Sequence, residues 1–455
     1  MIFYSPTFLI FFLIFLAGLP FVGRGSLLKW YVLLSSWIFY AWWNPFYLPV
    51  LIVLSLLGYG GGLIVARHQG WTPAVIALLL LPLIGFKYAG FIVANIEEVF
   101  AIDIPFQPDW SLPLGVSFIT FTVISYVVDI KRQALAPERT FGRVGLFAAF
   151  FPHLVAGPIL RGRELLPQLR AIHISTAMVP FGLLLFSIGA AKKVILADGV
   201  APWVDTIYAS TTPLTAGQSL LAFYGFAVQI YADFSGYTDM ALGLAAIIGV
   251  RLPRNFERPY LAASVREFWH RWHMTLSRWL RDYVYIPMGG NRRGYGRMLL
   301  ALMATMLIGG LWHGASWAFV IWGGLHGAAL VLEQLQRRYW PTMPTIPLFL
   351  RRLFVFHFVA FAWILFRARD LAHFEKIVDG LWIAPEWSAY ASAVAWPACL
   401  ILVALLVHPI DSVSRVRWLA RAMPKPVVVT LAIVTMVLCA ALSIGNPGTF
   451  IYFDF

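Results

Sequence analysis

Charge is what this chain has least of: Asp, Glu, Lys and Arg make up 12% of its 455 residues, while 60% are hydrophobic. So little charged surface cannot coat a globule of that size, which excludes a soluble fold. Cysteine is almost absent too, and the two present, Cys399 and Cys439, both fall inside late apolar runs. They make no disulfide framework and no thiolate metal box, and read as packing residues facing lipid or core. No G-x-S-x-G elbow, H-E-x-x-H helix or paired-cysteine motif occurs, and the glycines at 58 and 60–62 precede no Lys-Ser/Thr pair that would make a phosphate loop. Internal repeats, low-complexity linkers and a second domain are also missing. The chain therefore reads as one membrane-embedded domain over 1–455.

Long apolar runs fill the space left by charge. They lie near 4–22, 30–43, 47–65, 72–95, 112–128, 177–196, 217–250, 298–335, 353–366, 393–410 and 427–445. The expectation is an all-α polytopic membrane protein of about eleven transmembrane helices, with re-entrant and interfacial pieces besides. The first run lacks a basic stretch before it and a small-residue cleavage site after it, so it reads as a retained span. Arg24, Lys29, Arg67, His68, Lys131, Arg132, Arg139 and Arg143 occupy loops on one side; Glu97, Glu98, Asp103 and Asp109 occupy the other. The positive-inside bias makes the first set cytoplasmic and the N-terminus extracytoplasmic. It also accounts for the net charge of +13 without nucleic acid. Around 144–175, Pro152, Gly157 and Pro158 interrupt a run too short to span, which predicts a re-entrant or broken segment with His153 as a satisfied interfacial histidine. The run 217–250 is long enough for two helices, divided at Ser235-Gly236. Its Gln229, Asp233, Ser235, Thr238 and Asp239 line a protein-walled cavity or join helices by hydrogen bonds.

The stretch from Phe268 to Trp317 organises the rest. Wound as one helix, it sets Trp269, Trp272, Leu276, Trp279 and Tyr283 on one stripe, and Arg266, His270, His273, Ser277 and Arg281 on another. An amphipathic helix at the membrane boundary explains that pattern. His270 and His273 are spaced i, i+3, but arginines crowd them and no third ligand is evident, so no metal site is expected. The run 298–335 exceeds one crossing, and the glycine pairs at 309–310 and 323–324 predict bends or a broken helix. Within it, His313 is an ionisable group in apolar surroundings, costing about 2 kcal/mol or more unless it has a partner or a cavity. A neutral imidazole there is suited to deprotonate an acceptor hydroxyl as general base. His326 follows after 13 residues, about 20 Å along a straight helix, too far to act on the same atom unless the helix breaks. His326 and His357 read as packing histidines bonded to carbonyls.

FPHLVAGPILR, YADFSGYTDMALGLA, FWHRWHMTLSRWLRDYVYIPMGG and GGLWHGASWAFVIWGGLHG resemble, in that order, the signature blocks of the membrane-bound O-acyltransferase family. The opening FYAWWNPFYL, the LPLGVSFITFTVISYVVD stretch and the closing FIYFDF extend the resemblance over nearly the whole chain, toward the bacterial branch that includes alginate O-acetylation and teichoic-acid D-alanylation components. The resemblance implies a ring of helices around a thinned centre, reached by an acyl donor from the cytoplasm and by the acceptor from outside. It makes His313, in the WHG block, the catalytic base and His273, in RWH, its support. Trp312, Ser316 and Trp317 would shape the pocket, with Asp233 and Arg281 as further substrate-binding residues. His270 departs from the arginine expected there in many relatives. No permanently bound cofactor is implied; acetyl-CoA or another acyl thioester is the donor. The acceptor is a polysaccharide or a periplasmic acetyltransferase acting as relay, and the place is the bacterial inner membrane. D-alanyl transfer, lipid O-acylation and, outside enzymes, a polysaccharide or proton-coupled transporter are the rival readings.

Overall fold

The computed structural model describes residues 2–455 except Arg24, Gln107, Asp109, Ala156, Ala171, 343–345, 384–386, 444–447, 449 and 452–455, and for 387–394 the backbone alone. The side assignments of Arg24 and Asp109, and the interfacial tail beyond Ile451, therefore lie outside the described residues. Helix is the only regular structure among the described residues. In lipid this is the economical solution, because every backbone group is satisfied within its own segment.

Seven helices are long and apolar enough to cross a bilayer, or eight if a pair bent by 75° after Ile410 is one span. Eleven were expected from the apolar runs, and the difference has two sources. Pro6–Gly18 has 13 residues, and Ser26–Ala41 and Val116–Lys131 have 16 each, about 20–24 Å of helix against a hydrocarbon core of about 30 Å. The second source is the run 217–250: it is one uninterrupted helix, Ala216–Ile247, of 32 residues, not two divided at Ser235-Gly236, and it is not among the seven, whereas the run 298–335 supplies two of them. Gly236 is there for close approach: a Cβ on it would stand 2.6 Å from the carbonyl oxygen of Gly189.

The chain forms two compact units, each drawn from several stretches. In the first (1–187, 238–253 and 420–433), Leu48–Arg67 and Val116–Lys131 run side by side in the same direction, with Gly58 against Val123 and Gly62 against Tyr126 and Ile130. The expected broken segment is present as short helices, Phe141–Ala149, Phe151–Leu154 and Gly162–Leu165, buried in protein. His153 within it is buried, its Nε2 3.2 Å from the Phe147 carbonyl oxygen, a satisfied core histidine.

The second unit (188–237, 254–419 and 434–455) holds every residue singled out as catalytic or substrate-binding. Its core is aromatic: Trp272, Trp322 and Trp363 are each fully buried. Tyr295–His313 and Trp317–Tyr339 pack along their length. The run 298–335 is thus a broken helix, one of the two forms expected of it. Gly310 and Gly323 face each other, and a Cβ on Gly310 would overlap the Phe319 carbonyl oxygen. The glycine pairs let the two backbones touch, and the break falls between them at Gly314–Ser316.

Candidate active site

The stretch 265–285 is not one helix. Val265–Arg271 ends with Trp272 extended, His273 takes a left-handed conformation with φ of 42°, and Met274–Leu280 begins anew before a π-helical turn at Arg281–Tyr285. Uniform 3.6-residue winding carries no trace of that break, because the aromatic stripe continues through it: Trp269, Trp272, Leu276 and Trp279 are all buried as expected. The cationic stripe survives except at His273. His270 stays exposed beside Arg266 and Arg281, where partial burial and then those two charges hold its imidazole below the usual value. His273 is turned inward and fully buried.

Asn255 makes that turn possible. Its backbone carbonyl accepts from Met274 N, and its side-chain Oδ1 accepts from Thr275 N at 3.2 Å and Thr275 Oγ1 at 2.8 Å. A backbone N–H can only donate, so the Asn255 atom is the oxygen, and His273 Nδ1, 3.2 Å from it, carries the proton. The lone pair is thus on Nε2. Burial pushes this imidazole down to about 3, which keeps it neutral.

His313 is the last residue of its helix and 2% exposed. Its ring meets the edges of Trp312, Trp322 and Phe366 at centroid distances of 4.9, 5.2 and 5.1 Å. All three rings are core residues, so the imidazole is walled by protein and not by lipid-facing side chains. Trp312 also meets His273 at 5.9 Å. The two histidines of the RWH and WHG blocks therefore both pack against one indole. The helix break after His313 brings His326 close as well, since both pack on Trp322, His326 at 4.9 Å. The carbonyl partner expected for His326 is not there. Among the described residues neither ring nitrogen has a hydrogen bond, and Phe268, Trp269, Trp322 and Phe358 surround it. His357 behaves as expected, with Nδ1 2.7 Å from the Leu353 carbonyl oxygen and Nε2 2.9 Å from Tyr224 Oη.

The remaining residues are less uniform. Ser316 begins the next helix, half-buried, and Trp317 after it is 57% exposed. Arg281 is exposed and donates from Nε to Asp282 at 2.7 Å. Asp233 is buried in an ion network: Lys193 Nζ lies 2.8 Å from its Oδ1 and 2.7 Å from Asp198 Oδ1. Its Oδ2 accepts from the backbone N–H of Ile451 at 2.7 Å. Its neighbour Phe234 meets His273 edge-on at 4.8 Å and Phe450 at 5.9 Å. Asp233 thus joins two helices and residues 450–451, and Phe234 extends that junction to His273. Lys193, Asp198 and Asn255 escaped the motif reading. A signal existed for the lysine, since Lys192 and Lys193 sit in an apolar run where unpaired charge is as costly as at His313.

Comparison with known proteins agrees with this geometry. The model of the MBOAT, membrane-bound O-acyltransferase family matches residues 143–372. A probable alginate O-acetylase of Azotobacter vinelandii is 37% identical over 400 residues, covering 85% of this chain and 79% of that protein. The peptidoglycan O-acetyltransferase of Helicobacter pylori is 35% identical, over 78% of this chain and 73% of its own. A teichoic acid D-alanyltransferase of Bacillus subtilis is 27% identical over 64% of this chain and 80% of its own.

Proposed function

The chain belongs to the membrane-bound O-acyltransferase family, and from that premise we propose that it moves acetyl groups from a cytoplasmic acyl thioester to hydroxyls of an extracytoplasmic polysaccharide, directly or through a periplasmic relay protein. Residues 1–455 act as one domain in the bacterial inner membrane. The observation that carries the reading is the pair of buried imidazoles, His313 and His273, both packed against Trp312. Acetyl transfer is favoured because relatives named for O-acetylation are 35–37% identical, while relatives named for D-alanyl transfer are 27–28% identical.

In this mechanism His313 takes the proton of the acceptor hydroxyl as its oxygen attacks the thioester carbonyl. The tetrahedral intermediate expels the thiolate, breaking the C–S bond, and the imidazolium returns its proton to the sulfur. An ester and a free thiol result, and the histidine is neutral again. His273 supports the donor with the lone pair on Nε2. Trp312, Ser316 and Trp317 bound the acyl pocket, Arg281 on the exposed polar face meets the anionic part of the donor, and Asp233 holds the wall behind His273.

The test is His313→Ala in the host, scored by acetyl and D-alanyl esters on envelope polymers and by polymer export, with the variant's membrane level matched to wild type. Loss of a general base costs about 10²–10⁴ in rate, so acetyl esters should fall to background while export continues. Unchanged acetylation with lost export would replace the enzyme by a transporter, and loss of D-alanyl esters alone would move the donor to a D-alanyl thioester.

A further inference from the structure

We propose that a basic cavity in the first unit binds the phosphate headgroup of an anionic phospholipid. The cavity holds about 260 Å³ and is lined by Ser26, Lys29, Thr140, Arg143 and Arg170, with leucines behind them. Three cations face it, and the described carboxylate beside them is Glu138, which accepts from Arg143 Nη1 at 2.9 Å and Arg170 Nη2 at 3.4 Å. One negative charge against three leaves the cavity with two uncompensated positive charges. Lys29 forms no ion pair among the described residues; its ammonium lies 5.4 Å from the Trp30 ring centre. The helix Ser26–Ala41 opens here, on a glycine at φ of 92° that provides no side-chain cap, so its first-turn N–H groups add partial positive charge at the mouth.

Size and surroundings choose the occupant. The volume lies below the roughly 300–1,000 Å³ of pockets that enclose drug-sized ligands, which suits a headgroup and not a nucleotide. Leu27 is 60% exposed and Trp30 39% exposed on the same first turn, an apolar and aromatic flank of the kind that meets acyl chains at a bilayer boundary. A phosphate with hydrocarbon attached satisfies both surfaces, whereas free phosphate satisfies only one. Basic pockets between membrane helices bind anionic headgroups in this way. Lys29 and Arg143 of this cavity are among the basic residues that the charge bias assigns to the cytoplasm. None of these residues belongs to the catalytic machinery, so the site is independent of the acyl-transfer reading.

The experiment titrates full-length protein in neutral detergent with dioleoyl phosphatidylglycerol, dioleoyl phosphatidylcholine or inorganic phosphate, following thermal unfolding. Saturable stabilisation by phosphatidylglycerol alone is expected, with apparent affinity about fivefold weaker in Lys29→Gln and weaker again in Lys29→Glu. Lys29 pairs with no described carboxylate, so these variants leave the Glu138 bridges intact; Arg170→Gln is the second probe of the same cavity. Equal stabilisation by phosphatidylcholine, equal stabilisation by inorganic phosphate, or an undiminished phosphatidylglycerol effect in both Lys29 variants and Arg170→Gln would each overturn the proposal.

Discussion

His273 shows how much one hydrogen-bond acceptor can decide. Asn255 Oδ1 fixes the proton on Nδ1, and complete burial removes the charged form of the ring from consideration near neutral pH. The sign of the linked stability follows. The folded-state value of about 3 lies below the ordinary 6.5, so between those values the unfolded chain binds more protons than the folded one. This histidine's contribution is complete above about pH 6.5 and is lost as pH falls toward 3, at up to about 1.4 kcal/mol per pH unit. Thermal unfolding of wild type and His273→Gln in detergent from pH 4 to 8 tests this. Wild type should lose stability more steeply below pH 6.5, and parallel curves would show that the ring is not held neutral by the fold. His313 was legible through its cost in apolar surroundings and its motif block, and His273 through its motif block alone. Asn255 was not, because a single asparagine among arginines and prolines carries no periodicity, and only the turn it caps reveals its role.

At the scale of helices, the sequence pattern conveyed which residues are buried better than where each helix stops. Trp269 through Trp279 keep one buried stripe although the chain reverses to a left-handed residue at His273, since 100° spacing is a property of the stripe and not of the backbone under it. The split expected at Ser235-Gly236 failed for a related reason: a glycine inside a helix marks close packing as readily as a break. The Lys193 network is the element-scale counterpart, joining 192–197, 216–247 and residues 450–451 through buried charge. Removing one partner of a buried pair costs about 3–5 kcal/mol, while replacing both with neutral groups can cost much less. Lys193→Met should therefore destabilise strongly by leaving Asp233 and Asp198 uncompensated. Lys193→Met combined with Asp233→Asn should recover part of that loss, because Asn still accepts from Ile451 N–H. A double-mutant cycle read by thermal unfolding measures the coupling; strictly additive effects would mean the 2.8 Å pair contributes nothing.

For the whole molecule, the open quantity is which end of each helix faces the cytoplasm, and the second unit offers an internal argument. Arg351 and Arg352 begin the helix Leu348–Arg367 and Arg367 ends it, so charge counting alone gives no direction. The neighbouring segments break the tie: Arg369 follows Arg367 at one end, where Arg367 donates to Asp205 at 2.7 Å, while the other end adds Arg337 and Arg338 from the preceding helix and Arg292, Arg293 and Arg297 around the start of Tyr295–His313. The excess of positive charge is then at the end where Tyr295–His313 starts, beside the basic loop 291–293, and the charge bias predicts that this end faces the cytoplasm. Nineteen residues of helix, about 28 Å, carry His313 away from that loop, toward the side from which the proposed acceptor would come. In a background with Cys399 and Cys439 replaced by serine, Asn291→Cys should react with a membrane-impermeant maleimide only after the cells are opened. Thr211→Cys, in the loop after the helix bearing Asp205, should react on intact cells. The reverse pattern would place His313 nearer the cytoplasm and require the acceptor, not the acyl group, to cross most of the bilayer.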